Sequence, residues 1–308
     1  APFTWIATAS GAGDRLAAGR TNLWPANGSS RLRFVVASEE ALNWFYRRFS
    51  NPILWFLQHG LWDQLRRPNL PDMIERGWAL GYRPLNDAFA RVLGQEVLGA
   101  RRPVVMIHDY HHYLTPAFIR ERLPDALLQQ FVHIPWPAYG EWQYLPTYMQ
   151  QAICRGLLAN DIVGFQTTRA ARDFMRTCQR SLEHVSVDLQ LGTVSRGGHI
   201  THVRAYPISI DVSALRQAAA STQVQECRQK LQRLAGKQTI VRIDRLDLSK
   251  NIVRGFQAFD LLLQRRSDLH GKVRFLAFLV PSRTGIPEYQ RYTEEVMTAA
   301  KEVNEKHA

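Results

Sequence analysis

The chain has 308 residues, 45 % apolar and 21 % charged, enough to bury a sizeable core in about two domains. Its 39 basic against 27 acidic side chains leave +12 at neutral pH, which excludes an acidic disordered chain and points to anionic partners: nucleic acid, a membrane surface or phosphorylated small molecules. Collagen and coiled-coil compositions are excluded, and so is a disulfide scaffold, because Cys154, Cys178 and Cys227 are widely spaced and odd in number.

The first twenty residues lack the basic leader of a signal peptide, and no run reaches the ~20 apolar residues of a membrane helix. A reducing, cytoplasmic setting is the simplest expectation. Short apolar runs then alternate with stretches of helical periodicity, the pattern of strand–helix units around a parallel sheet. Buried strands are expected at Arg33–Val36, Val104–Ile107, Gln130–Ile134, Ile162–Gln166, Ile240–Ile243 and Val273–Val280. Helices are expected at Glu39–Leu57, Tyr82–Leu98, Thr115–Leu123, Leu145–Leu158, Arg169–Cys178, Val212–Leu234, Asn251–Arg265 and Glu288–Lys306. The Asn251–Arg265 helix is the clearest, since Ile252, Val253, Phe256, Phe259, Leu262 and Leu263 make one apolar stripe. Gly192, Gly197 and Gly198 among alternating apolar residues predict a hairpin inserted over Asp188–His202.

The pattern changes after Tyr206-Pro207, which divides the chain into a first domain over 1–206, a linker over 207–237 and a small second domain over 238–308. The second holds only two strands and two helices, thin cover for a parallel sheet.

Four polar clusters end apolar runs, where open α/β sheets bind ligands. In Ile107-His108-Asp109-Tyr110-His111-His112, Asp109 can accept sugar hydroxyls or cap the next helix. The three histidines lack the i, i+4 spacing of a metal site. In Phe131-Val132-His133-Ile134-Pro135-Trp136-Pro137, two prolines stiffen the exit, and His133 either positions a ligand or packs in the core. The stretch from Asp244 to Asn251 turns a strand into a helix whose free amides and positive dipole end suit an anion. Arg245 and Lys250 add two cations there, unless Asp244 and Asp247 pair with them. Pro281-Ser282-Arg283 offers a further arginine at a strand end. The arginine doublets are scattered without a nucleic-acid motif, and no Walker loop, GxSxG or HExxH sequence occurs.

In order, Phe49–Trp55 (FSNPILW), Ile107–His111 (IHDYH), Phe131–Pro137 (FVHIPWP), Leu145–Phe165, Tyr206–Asp211 (YPISID), Arg245–Asn251 (RLDLSKN) and Pro281–Arg283 (PSR) resemble the trehalose-6-phosphate synthase family. The resemblance implies an α/β, GT-B type fold, with two Rossmann-like parallel-sheet domains of which the second is incomplete here. It implies a retaining transfer of glucose from UDP- or GDP-glucose to glucose 6-phosphate, without cofactor or metal, nucleic acid or membrane, by a chain that is monomeric or a homo-oligomer. It gives Arg245 and Lys250 the donor diphosphate, His133 the donor sugar, Asp109 the acceptor glucose and Arg283 the acceptor phosphate.

Some positions depart from the family pattern. Gly60 stands where the family's acceptor pocket has a tyrosine, and Asn69-Leu70 where an aromatic follows Arg-Pro. Trp136 and Asn251 replace the usual Phe and Gly. These departures leave open another acceptor, glycerol 3-phosphate or a cyclitol phosphate, and a non-catalytic sugar-phosphate binding module. The family's N-terminal glycine loop and its later ribose-binding carboxylate are expected to fall outside these residues.

Overall fold

In the computed structural model, which describes residues 3–18, 30–65, 67–232 and 237–307, the chain divides into two compact units, Ala1–Pro207 and Ile208–Ala308. In the first, β1 (Phe3–Thr8) and β2 (Ser30–Val35) pair in parallel as a separate ribbon. The strands β3 (Val104–His108), β4 (Leu127–Val132), β5 (Ile162–Phe165), β6 (Val185–Asp188), β7 (Thr193–Arg196) and β8 (His199–Ala205) form one sheet in the order 3-4-5-8-7-6. From β3 to β8 the pairing is parallel, and β7 and β6 continue it antiparallel. The expected hairpin exists, turning on the left-handed Gly197-Gly198 (φ 56° and 81°). It is part of the main sheet, because β8 is also the parallel partner of β5.

Helices α1 (Arg83–Glu96), α2 (Thr115–Arg122), α3 (Thr147–Leu157) and α4 (Thr168–Ser181) connect these strands. Ala90 of α1 and Ile119 of α2 pack with Val105, Ile107 and Leu128 of β3 and β4. Cys154 and Cys178 are buried on α3 and α4, and burial raises the Cys178 thiol well above its ordinary range. Trp136, in the irregular segment after β4, is buried in the core: its ring stacks on Trp142 at 4.4 Å and its Nε1 donates to Thr177 at 3.2 Å.

The helix expected over Glu39–Leu57 forms with a wide middle. Asn43–Leu54 is π-helical, Trp55 N–H reaching Ser50 O five residues back, and it carries Pro52, which has no N–H to place.

The second unit contains α5 (Val212–Ala219), α6 (Thr222–Gln232), β9 (Gln238–Arg245), α7 (Ile252–Arg265), β10 (Val273–Val280) and α8 (Pro287–Lys306), with β9 and β10 parallel. Ile252 and Phe256 of α7 bury against Tyr292 and Val296 of α8. The single helix expected over Val212–Leu234 is two, broken where the Ser221 hydroxyl accepts from Val224 N at 3.4 Å and starts a new helix. Positions 233 and 234 of that expectation lie outside the described residues. Cys227, on α6, is exposed. No helix among the described residues is long and apolar enough to cross a membrane.

Candidate active site

The first cluster sits at the carboxyl ends of β3 and β4. Asp109 follows β3 with φ 68° and ψ −179°, a region that is essentially glycine's own and costs about 1–3 kcal/mol for any other residue. The backbone is clamped there from both sides: Asp109 N–H donates to Phe131 O at 2.7 Å, and the buried Gln130 donates to Asp109 O at 3.1 Å. The carboxylate does not cap the following turn, the plainer of its two roles. Instead Oδ1 accepts from His133 N–H at 3.1 Å. Burial pushes this carboxyl above its usual range, opposed by the Tyr110 amide, the His133 imidazole and the amides of His133 and Ile134.

The structure therefore brings Asp109 and His133 together. His133 is exposed, so it is not a core histidine. Its Nε2 lies 3.1 Å from Nδ1 of His108, and the indole of Trp5 on β1 stacks over His108 at 6.5 Å. A cavity of about 1110 Å³ opens between β1 and β3 beside them, lined by Phe3, Trp5, Val104, Met106, His108 and His112 among others. Burial holds the His112 imidazole down to about 4, so it is neutral at pH 7. Among the described residues no group of three His, Cys, Asp or Glu is placed to hold a metal ion.

The loop after β3 is held by two residues that the sequence did not single out. The Tyr82 hydroxyl donates to Tyr110 O at 2.6 Å and accepts from Tyr113 N at 3.2 Å. Asn86, fully buried on α1, accepts from Leu114 N and Thr115 N at 3.0 and 2.9 Å and donates to His111 O at 3.0 Å. Their only sequence signal is a polar group at helical spacing on an otherwise apolar face. Gly156 of α3 completes the support, since a Cβ there would sit 2.0 Å from Tyr113 O.

The second cluster lies at the carboxyl end of β9 and in the turn after it. Asp244 is taken by Arg242 at 2.9 Å. Asp247 is fully buried and takes Arg283 at 3.0 Å, while its other oxygen accepts from Ser249 N–H and Oγ. Arg245 reaches Asp247 only at 4.0 Å and is 57 % exposed. The Lys250 side chain is exposed and enters no ion pair among the described residues, its carbonyl accepting from Arg242. The two aspartates that could have neutralised Arg245 and Lys250 are thus engaged mainly by other arginines.

Arg283 adopts a left-handed φ of 47°, and its Nη1 donates to Asp247 at 3.0 Å and to the Tyr289 hydroxyl at 2.7 Å. At the start of α7 one amide is already taken, Ile252 N–H donating to the Tyr292 hydroxyl at 2.6 Å. Tyr289 and Tyr292, one turn apart on α8, gave no signal beyond that spacing.

The model of glycosyltransferase family 20 matches residues 3–308. The chain belongs to this family. Among curated family relatives, the bifunctional trehalose-6-phosphate synthase/phosphatase of Thermoproteus tenax is 32% identical over 85% of this chain and 34% of its own length. The 56 kDa subunit of the UDP-forming alpha,alpha-trehalose-phosphate synthase of Saccharomyces cerevisiae is 31% identical over 83% of this chain and 50% of its own length. The chain thus spans about a third to a half of these relatives. The Escherichia coli structure described as trehalose-6-phosphate bound with UDP-2-fluoro glucose superposes with a TM-score of 0.84 at 24% identity, covering 99% of this chain and 64% of that one. A UDP-forming synthase from Burkholderia xenovorans gives 0.81 at 25% identity, covering 100% and 70%. The family and these neighbours fix the fold as α/β of GT-B type.

Proposed function

We propose that this chain carries sites of a retaining glucosyl transfer from UDP- or GDP-glucose to glucose 6-phosphate, giving trehalose 6-phosphate. The observation that carries the reading is Asp109, a carboxylate kept at a strand end in a backbone conformation that suits only glycine, with His133 bonded to it. Strain of this kind persists where surrounding structure enforces it, and it clusters at working sites.

In this reading Asp109 accepts a hydroxyl of the acceptor glucose and His133 faces the donor sugar. Arg245 and Lys250 hold the donor diphosphate, and Arg283 contributes to the acceptor phosphate while tied to Asp247. The C1–oxygen bond to the diphosphate breaks with its electron pair leaving on the diphosphate. The acceptor hydroxyl oxygen bonds to C1 from the same face, and its proton passes to the departing phosphate oxygen. No protein nucleophile is needed, so catalysis is positioning together with neutralisation of the leaving group. The names of the relatives, synthases described as UDP-forming, support UDP-glucose as donor. A cytoplasmic site of action is part of the same proposal.

One observation favours a different acceptor. Gly60 has φ 64° and open space where a side chain would begin, so the family's tyrosine is missing from a position able to host one only under strain. The test is nucleotide-diphosphate release from UDP-glucose and GDP-glucose with glucose 6-phosphate, glycerol 3-phosphate and a cyclitol phosphate as acceptors. Lys250→Ala is expected to lower turnover by about 10²–10³, by analogy with loss of one oxyanion donor. Unchanged turnover would remove the diphosphate role. Ligand binding without any release would replace the transferase by a binding module.

A further inference from the structure

We infer that His108 is the positioning residue for His133, locking its imidazole so that only Nδ1 is presented to the sugar. This rests on the reading in which His133 faces the donor.

The placement follows from register. β3 and β4 are parallel with His108 opposite Phe131, and His133 lies two residues beyond Phe131. Side chains two apart along an extended segment share a face, so His133 leans back over its neighbour strand's last residue. The two imidazoles lie 5.4 Å apart and 27° from parallel, with Nδ1 of His108 3.1 Å from Nε2 of His133. Phe131 packs against the His133 ring at 4.8 Å, and the Trp5 ring lies 6.5 Å from that of His108.

A hydrogen bond between two imidazole nitrogens needs a proton on one and a lone pair on the other. The ring whose nitrogen accepts must carry its own proton on the other nitrogen, so the bond couples the two tautomers. Partial desolvation and the neighbouring His133 lower the His108 pKa, opposed by Asp109, which favours the neutral form of that ring at pH 7. Both rings are exposed, and an exposed hydrogen bond adds little to folding. Its consequence is orientation, the part that outer partners play for a ligand-facing histidine.

The test uses two variants of the protein. His108→Leu removes the bond; His108→Asn keeps a donor and an acceptor near the place of Nδ1. Histidine-selective ¹⁵N spectra should show the His133 tautomer populations of the parent protein changed in His108→Leu and largely restored in His108→Asn. Nucleotide-diphosphate release should fall about 10–100-fold in kcat for His108→Leu, with KM for the donor changed less and the asparagine variant recovering most of the loss. Unaltered His133 signals in His108→Leu, or unaltered kcat, would overturn the positioning role. If the spectra change as expected while the parent releases no nucleotide diphosphate from either donor, the transferase reading fails, and with it the part of this inference that concerns the sugar; the ring pair itself stands.

Discussion

Arg283 and Asp247 form an ion pair at 3.0 Å in which the carboxylate is completely buried and the arginine side chain is 18% exposed. Removing one partner of such a pair leaves a charge in a poor solvent and costs about 3–5 kcal/mol. Arg283→Ala is therefore expected to lower the thermal unfolding temperature of the protein, and Asp247→Asn in the same background to recover much of the drop. A variant that loses acceptor affinity with an unchanged melting curve would show that Arg283 serves the ligand alone.

Asn86 joins α1 to the loop that carries Asp109. In Asn86→Leu, the Leu114 and Thr115 amides lose their buried acceptor, each at about 1–3 kcal/mol. Chemical denaturation should show a loss of at least about 2 kcal/mol, and Asn86→Asp should lose less because an acceptor oxygen remains.

Gly156 faces the same loop from α3. An added methyl would overlap Tyr113 O, and overpacking of this kind costs about 1–3 kcal/mol. Gly156→Ala, normally favourable inside a helix, is expected to lower the melting temperature here. A rise, as helix propensity alone predicts, would contradict the close approach.

The His112 imidazole sets an acid limit. Its value is about 4 in the fold and about 6.5 in the unfolded chain. Between those values the unfolded state binds more protons, so stability is intact above pH 6.5 and falls as pH drops toward 4. The loss approaches about 3 kcal/mol at the lower end. His112→Phe should flatten this limb in unfolding curves taken from pH 7 to 4, and a parent curve that is already flat would refute the assignment.

The strand-end motifs were legible because β3, β4 and β10 are short apolar runs that stop where polar residues begin. Asp109, His133 and Arg283 could be placed from that pattern alone. The direction in which Arg283 points could not. The sequence shows Asp244, Asp247, Arg242, Arg245 and Arg283 as formally equivalent charges, and only burial decides that Asp247 holds Arg283 while Arg242 takes Asp244. Tyr292 was hidden for a related reason, since it caps an amide 40 residues earlier in the chain. The ribbon strand β1 escaped because its alternation is short and stands ahead of the first recognisable unit. The break between α5 and α6 turns on one serine, a signal too small to outweigh a long polar periodic stretch.

The cysteines have a practical consequence. Cys227 is exposed on α6, whereas Cys154 and Cys178 are sealed inside the first unit, the latter with a thiol that resists ionisation. Because the thiolate is the reactive species, a maleimide fluorophore at neutral pH should attach to one position on the second unit. The unaltered chain thus arrives with a single optical handle, and changes in dye emission on titrating UDP-glucose can be followed without engineering out the other two sulfurs.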